Sequence, residues 1–361
     1  DVALQLYSSG TTGRPKGVML STKNMLVLFG VAKEIWEFSA DTVNLVAMPL
    51  FHIGGGGWAV SGMYEGCTSV IVRDPDPAKL VDLIADLRIT HAFLVPAALQ
   101  FMLMVPGVAD ADFSSLEIMV YGASPISDEV LVRSLEVFQC KFWQAYGLTE
   151  TTGTVVNLAP EDHDPAGPNH HRLRSCGRPG PGVELRIVDT ETGTDVPQGG
   201  VGEIWVRSPQ VMQGYWNLPE ATAEAVTEDG WFKTGDAAYL DEDGYIYIHD
   251  RVKDMIVSGG ENVYPAEVEN ALMGHPGVAD CAVIGVPHDR WGETAKAIVV
   301  KHSGADITEL EIIEYCQDRL AKFKCPTSVE WSDTLPRNPT GKILRRELRA
   351  QYWEGRDRQV N

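Results

Sequence analysis

The chain has 361 residues, 44% of them hydrophobic and 22% charged, and carries a formal net charge of −20. That length exceeds a single hydrophobic core and implies two or more domains. Acidity on this scale excludes nucleic acid and anionic lipid as partners of the surface at large. The six cysteines, Cys67, Cys140, Cys176, Cys281, Cys316 and Cys325, show neither Cys-x-x-Cys nor Cys/His ligand spacing. They read as buried reduced thiols, which places the expected protein in the cytoplasm.

A strand at residues 2–7 leads directly into Tyr7-Ser8-Ser9-Gly10-Thr11-Thr12-Gly13-Arg14-Pro15-Lys16-Gly17. Glycines let backbone N–H groups turn inward as a concave nest, and the hydroxyls add further donors. Lys16 supplies a point charge for a polyphosphate. The GxxxxGK[ST] phosphate loop does not fit, because Pro15 precedes the lysine and Gly17 stands where Ser or Thr belongs. The plain alternative is a mobile surface turn.

Residues 42–64 are uncharged, but Pro49, His52 and the run Gly54, Gly55, Gly56, Gly57 interrupt them. A buried strand, loop and helix is expected there, not a membrane span. Leu80, Leu83, Ile84 and Leu87 fall at helical spacing behind Asp76-Pro77, a capped amphipathic helix. Residues 92–95 form a short buried strand, ended by Pro96. Strands follow at 118–121 and 142–146, with a helix between them that Ser127 caps and whose inner face is Leu131, Leu135 and Phe138. His163, His170 and His171 lie in a Pro/Gly-rich loop, where solvated side chains are favoured over a metal site.

From about residue 174 the pattern shortens to alternating strands at 183–188, 203–207 and 245–248, the last after the turn Asp241-Glu242-Asp243-Gly244. Beyond Arg251 come a strand at 255–257, a helix at 265–273, strands at 282–286 and 297–301, and a helix at 308–320. The expected fold is α/β: a multi-layered large domain with a mostly parallel sheet plus a β-rich subdomain, then a small mobile α+β C-terminal domain. The boundaries are 1–251 for the large domain (1–173 α/β, 174–250 β-rich) and 252–361 for the small one. Residues 252–361 hold 14 Lys/Arg against 17 Asp/Glu, so most of the negative charge precedes them.

Several short runs carry candidate chemistry. Tyr121-Gly122-Ala123-Ser124-Pro125 ends a strand, where α/β sheets place ligands. Gln144-Ala145-Tyr146-Gly147-Leu148-Thr149-Glu150 sits at the end of another. Trp231-Phe232-Lys233-Thr234-Gly235-Asp236 precedes Arg251-Val252-Lys253-Asp254 by one hairpin. Ser258-Gly259-Gly260-Glu261 and Pro336-Arg337-Asn338-Pro339-Thr340-Gly341-Lys342-Ile343 lie in the small domain. Each alone has an ordinary structural explanation: a tight turn, a core tyrosine, a helix-start acid or a solvated lysine.

Together these runs resemble the motifs of the adenylate-forming superfamily, which includes acyl-CoA synthetases, coumarate–CoA ligases, luciferases and peptide-synthetase adenylation domains. Almost the whole chain can be matched, and the acyl-CoA synthetase branch fits best. In that family a substantial segment precedes the phosphate-binding signature, so the resemblance implies a chain lacking the front of its large domain.

The resemblance implies roles residue by residue. Ser8, Ser9, Gly10, Thr11, Thr12, Gly13 and Lys16 hold the β- and γ-phosphates of ATP. Gly122, Ala123 and Ser124, with Gln144, Ala145, Tyr146 and Gly147, form the adenine site, where Tyr146 stacks on the base. Thr149 contacts the α-phosphate, and Glu150 with Thr11 holds Mg²⁺. Asp236 takes the ribose hydroxyls and Arg251 shares that task. Lys253 is the pivot of the small domain, Gly259 and Gly260 approach the pantetheine arm of coenzyme A, and Lys342 is the adenylation lysine. His52, in Pro49-Leu50-Phe51-His52-Ile53-Gly54, lies beside the substrate carboxylate. The four glycines 54–57, with Tyr121, Thr151, Thr152 and Gly153, leave room for an apolar acyl pocket.

The implied reaction joins a carboxylic acid to ATP, giving acyl-AMP and pyrophosphate, after which the CoA thiol displaces AMP. The small domain presents Lys342 for the first step and the Gly259–Gly260 face for the second. A fatty or other hydrophobic acid is the expected substrate, and the absence of an aspartate near His52 counts against amino acids. A non-catalytic nucleotide- or acyl-AMP-binding module, or an adenylating enzyme with another acceptor, are the alternatives. Expected partners are small molecules, with no nucleic acid and no integral membrane segment; a homo-oligomer is left open.

Overall fold

The computed structural model describes residues 1–8, 15–338 and 341–354. The chain forms two compact units, one of Asp1–Thr234 with Tyr239–Tyr247 and one of Gly235–Ala238 with Ile248–Asn361.

In the first unit, β1 (Val2–Ser8) and β2 (Lys16–Ser21) pair antiparallel with Ser8 opposite Lys16. Ser21 then caps α1 (Thr22–Glu34): its hydroxyl accepts from the Asn24 N–H while Asn24 Oδ1 accepts from the Ser21 N–H. Two orphan donors of the first turn are satisfied in this way. There follow β3 (Val43–Val46), α2 (Ile53–Tyr64), β4 (Thr68–Ile71), α3 (Pro77–Asp86), β5 (His91–Leu94) and α4 (Pro96–Leu103). Next come β6 (Ile118–Gly122), α5 (Asp128–Phe138), β7 (Lys141–Leu148), β8 (Gly153–Leu158) and β9 (Arg178–Pro179). Asp76 caps α3 and Ser127 caps α5, both through the side chain, as their positions in the sequence predict.

The seven strands β3 to β9 form one sheet in the order β4–β3–β5–β6–β7–β8–β9. Pairing is parallel from β4 to β7 and antiparallel from there outward. Alternation along β6 sends Ile118 and Val120 into a core with Phe29 and Trp58, and Met119 and Tyr121 into another with Leu80, Leu99 and Leu131. A sheet covered on both faces by helices is the multi-layered α/β arrangement read from the sequence. The uncharged run is β3, a loop and α2, and among the described residues no helix is long and apolar enough to cross a membrane.

The β-rich stretch comprises β10 (Glu184–Val188), β11 (Gly202–Arg207), β12 (Gly214–Tyr215), α6 (Pro219–Ala225), β13 (Phe232–Leu240) and β14 (Ile246–Arg251). Four of these strands form a sheet ordered β10–β11–β13–β14. β12 leaves that group and adds to β2, with Tyr215 opposite Val18.

The second unit contains β15 (Ile256–Ser258), β16 (Glu261–Val263), α7 (Pro265–Met273), β17 (Val278–His288), β18 (Gly292–Lys301), α8 (Glu309–Gln317), β19 (Ser328–Trp331) and α9 (Arg345–Ala350). The strands expected at 282–286 and 297–301 are the middle of β17 and the C-terminal half of β18, a longer antiparallel pair. Polar ends such as Asp280, His288, Glu293 and Lys296 hid its true length. Along β18, Ala295, Ala297 and Val299 pack with Val268 and Ile312, while Ile298 packs with Leu335 and Leu348 on the opposite face. An α+β unit with its own core results.

Candidate active site

In the first unit three of the residues expected to handle phosphate and metal, Ser8, Lys16 and Glu150, gather at one corner with the Tyr215 phenol. β7 ends in a single 3-10 turn, Thr149–Thr151. Thr151 Oγ1 accepts from the Leu148 N–H at 2.8 Å and so closes that turn. Thr152, at φ 54, and Gly153, at φ 94, reverse the chain into β8. This places Glu150 inward, 7% exposed. Its Oε1 accepts from the Ser8 hydroxyl at 2.8 Å and from the Tyr215 hydroxyl at 3.1 Å. Lys16 Nζ lies 4.8 Å from the centre of the Tyr215 ring. Thr149 begins the turn and is half-buried. Ser9, Gly10, Thr11, Thr12 and Gly13 lie outside the described residues, so of the expected metal pair only Glu150 has a described position.

Among the described residues no group of three or more His, Cys, Asp or Glu gathers as a metal cage. One buried carboxylate with hydroxyls beside it suits Mg²⁺ nonetheless. That ion keeps several waters and is ordinarily held by one or two carboxylates plus substrate phosphates.

Beside this corner, the ends of β6 and β7 come very close. A Cβ on Gly122 would stand 2.1 Å from the Ala145 carbonyl oxygen, and one on Gly147 would stand 1.8 Å from that of Gly153. Glycine is required at both positions because backbone occupies the space. A cavity of about 40 Å³ opens there, lined by Ala123, Ala145, Gly147, Gly153 and Thr154 from the strand ends. Its remaining wall includes His52 and the aromatic rings of Trp36, Trp58 and Phe93. Ser124, Gln144 and Tyr146 are half-buried nearby in sequence but do not line it.

His52 is the N-cap of α2, and its Nδ1 accepts from the Gly54 N–H at 3.0 Å. Burial lowers its pKa. A neutral ring whose Nδ1 accepts must carry its proton on Nε2, so His52 is a hydrogen-bond donor at that atom.

Several expectations for the acyl pocket are corrected. Tyr121 is fully buried on the other face of the sheet, where its hydroxyl meets His163 Nε2 at 3.0 Å and Gln144 Oε1 at 3.4 Å. Strand alternation decides this, since Tyr121 shares a face with Met119 and not with Val120. Thr151 and Thr152 are buried in backbone hydrogen bonds, the latter to the Gln210 carbonyl at 2.6 Å. The glycines of α2 do not open a floor: a Cβ on Gly55 would lie 2.2 Å from the Pro49 carbonyl oxygen, and one on Gly57 would touch Leu28 and Ile53. Gly54 alone of the four faces the cavity. His163 is likewise a satisfied core residue, with Nδ1 on the Ala159 carbonyl and burial pushing its pKa down to about 4.

In the second unit, Arg251 Nε donates to Asp236 Oδ1 at 2.7 Å, and Asp236 is buried. Lys342 lies on a small hairpin in which its N–H donates to Asn338 Oδ1 at 2.9 Å and its carbonyl accepts from the Asn338 N–H at 2.9 Å. Much of its side chain is exposed, but the ammonium sits in a crowded charged neighbourhood. The Arg251 guanidinium first, then loss of water, lower its pKa to about 8 against the opposing pull of Asp236 and Asp250. The side chain stays in contact with water, so repulsion by Arg251 outweighs loss of water as the cause.

Lys253 occupies the 3-10 turn Val252–Asp254, where burial lowers its pKa. Gly259 and Gly260, at φ 62 and 89, are the two-residue turn joining β15 to β16. A type I′ hairpin demands positive φ at both places. A Cβ on Gly259 would meet the Trp291 ring at 2.7 Å.

The sequence reading missed Tyr215, Asp250 and Arg345. Arg345 forks onto Glu269, Nε to Oε1 at 3.1 Å and Nη2 to Oε2 at 2.5 Å, and reaches Asp250 at 3.4 Å. Burial opposes its charge, but Glu269 and then Asp250 outweigh that and hold it firmly protonated. Asp250 also accepts from the N–H groups of Arg251 at 2.7 Å and Ala266 at 2.9 Å. Its pKa is nevertheless raised to about 6 by burial, with Glu269 and Asp254 adding repulsion. The basic run after Lys342 was the available signal for Arg345; nothing local marked Tyr215.

A sequence model described as AMP-binding enzyme matches residues 1–216, and one described as AMP-binding enzyme C-terminal domain matches residues 267–342. The fatty acid–[acyl-carrier-protein] ligase ScoC of Streptomyces coeruleorubidus is 47% identical over 361 residues, covering 99% of this chain and 69% of that protein. A feruloyl-CoA synthase of an Amycolatopsis species is 42% identical over 353 residues, covering 98% and 70%. Among solved structures, ATP-bound MatB from Rhodopseudomonas palustris superimposes with a TM-score of 0.90 at 35% identity, covering 98% of this chain and 68% of that one.

Proposed function

The chain belongs to the AMP-binding enzyme family, and on that premise we propose that it is an AMP-forming acid–thiol ligase. A carboxylic acid attacks the α-phosphate of ATP, forming acyl-AMP and releasing pyrophosphate; a thiol then displaces AMP to give a thioester. The observation that carries this reading is the cluster in which the Ser8 and Tyr215 hydroxyls both donate to Glu150 while Lys16 lies over the Tyr215 ring. It brings a metal-type carboxylate and a phosphate-type ammonium to one corner without pairing them to each other.

Roles follow from the chemistry of each group. Ser8 and Lys16 take phosphate oxygens, together with Ser9, Gly10, Thr11, Thr12 and Gly13. Glu150, with Thr11 from the first glycine-rich run, would hold Mg²⁺, and Thr149 would contact the α-phosphate. Magnesium, when bound, supplies a compact positive charge to phosphoryl oxygens. Gly122, Ala123, Ser124, Gln144, Ala145, Tyr146 and Gly147 accommodate adenine. Asp236, paired with Arg251, takes the ribose hydroxyls. Lys342 supplies the cation as charge builds on the α-phosphate. Lys253 is the pivot, and the Gly259–Gly260 turn is the approach for a slender thiol arm.

His52 donates from Nε2 beside the acyl cavity, where an incoming carboxylate needs a donor. The wall of Trp36, Trp58 and Phe93 favours a flat or slender hydrophobic acid. Coenzyme A is the proposed acceptor. The similarity to an acyl-carrier-protein ligase favours one second reading, transfer to a carrier protein, because both acceptors present the same pantetheine thiol. A thioester assay with a panel of aryl and fatty acids, run in parallel with CoA and with holo carrier protein, tests this. Thioester with CoA supports the proposal, thioester with carrier protein alone replaces the acceptor, and thioester with neither rejects ligase function.

A further inference from the structure

The geometry points to Tyr215 as a positioning residue that keeps Glu150 and Lys16 apart and aims each at its own ligand. The inference rests on the reading that Glu150 holds magnesium. Four observations support it, all within the first unit. Tyr215 is buried, and its strand β12 is fixed to β2 by the pairing of Gly214 with Met19 and Tyr215 with Val18. The flanking backbone is pinned on both sides, by Trp216 N–H to the Gly17 carbonyl at 2.7 Å and Met212 N–H to the Glu150 carbonyl at 2.8 Å. The Tyr215 hydroxyl and the Ser8 hydroxyl both donate to the same oxygen of Glu150, Oε1. Lys16 lies over the Tyr215 ring.

Two donors on one carboxylate oxygen fix the plane of the group and leave Oε2 as the atom for a cation. The ring meanwhile gives the Lys16 ammonium an electron-rich face to rest on. Without that face, the Glu150 carboxylate on the same tyrosine becomes the competing partner for the ammonium. A direct Lys16–Glu150 pair would neutralise both groups, leaving less charge for phosphate and less for magnesium. Tyr215 therefore does what neither Phe nor Leu can do alone: its hydroxyl serves the acid and its ring serves the base.

Calorimetric titration of ATP at stepped Mg²⁺ concentrations, without any acid present, tests this on the whole protein. Tyr215→Phe keeps the ring and is expected to weaken the magnesium-dependent part of ATP binding about 10-fold, the low end for loss of a partner behind a metal ligand. Magnesium-free ATP binding and the unfolding temperature stay at wild-type values. Tyr215→Leu also loses magnesium-free binding. Wild-type magnesium dependence in Tyr215→Phe, or equal loss with and without magnesium, overturns the inference. Glu150→Gln separates the two levels. If it leaves magnesium dependence unchanged, the reading of Glu150 falls and the inference with it; if it abolishes that dependence while Tyr215→Phe keeps it at the wild-type level, the inference alone falls.

Discussion

Arg251 and Asp236 form a 2.7 Å ion pair through Nε and Oδ1, and the same guanidinium is the chief cause of the lowered pKa of Lys342. One arginine thus pairs with the acid proposed for ribose and weakens the proton affinity of the lysine proposed for adenylation. The first consequence is kinetic. Lys342→Ala should reduce acyl-AMP formation by about 10²–10³-fold, the usual scale for one electrostatic stabiliser. Thioester formation from supplied acyl-AMP should stay near wild type. Comparable loss in both partial reactions would contradict the role given to Lys342.

The second consequence concerns pH. A lysine loses its charge as pH rises through its pKa, so Lys342 should titrate near 8, well below its ordinary 10.5. Removing the neighbouring positive charge in Arg251→Gln should move that transition alkaline, toward 10.5. Lysine labelling followed by mass spectrometry, read at Lys342 across pH 6–11 (roughly the span the two pKa values require), measures it directly. An unchanged midpoint in Arg251→Gln contradicts the assigned cause.

Arg345 serves three carboxylates, the buried Asp250 and the half-buried Glu269 and Asp254. Arg345→Met should destabilise the second unit by about 3–5 kcal/mol, because uncompensated buried charge is left behind. Arg345→Lys should recover little of this, since an ammonium cannot reproduce the fork on Glu269. Urea unfolding of the two variants checks both statements.

Asp250 makes the opposite pH contribution to the usual carboxylate. Its folded pKa, about 6, lies above its ordinary 3.8, so the folded chain holds that proton more tightly than the unfolded one. The stabilisation is complete below 3.8 and is lost as pH rises through about 6. Asp250→Asn should flatten that part of the stability profile; a profile identical to wild type would contradict the assignment.

Two glycines give a contrast in local packing. Gly30 lies inside α1, and a Cβ there would meet nothing within 4 Å. Gly30→Ala should stabilise by about 0.5–1 kcal/mol through reduced unfolded-state entropy. Gly122→Ala should destabilise by on the order of 2–3 kcal/mol, because the new methyl group meets the Ala145 carbonyl. Thermal unfolding of the pair separates them by sign.

How far the fold was legible depended on whether its cause was local. Caps such as Asp76 and Ser127, and the periodicity of the helices behind them, act over four residues and could be read directly. The layering of the large sheet followed from alternating elements. The face on which Tyr121 points did not, because it depends on the register of β6 between two cores. The run of glycines at 54–57 suggested empty space, whereas close backbone at Pro49 explains Gly55. Glu150 was found through its motif, but its partner Tyr215 lies 65 positions away and joins it through a two-residue strand that carries no pattern. Arg345 was visible only as part of a basic run, and its three acids come from other elements.

Exchange of radiolabelled pyrophosphate into ATP isolates the adenylation step from any question about the thiol acceptor. The account predicts exchange that requires an added hydrophobic carboxylic acid and magnesium, and that Glu150→Gln and Lys342→Ala both suppress. Cooperatively folded protein that catalyses no exchange with any acid of the panel, or exchanges equally well with none added, would contradict it.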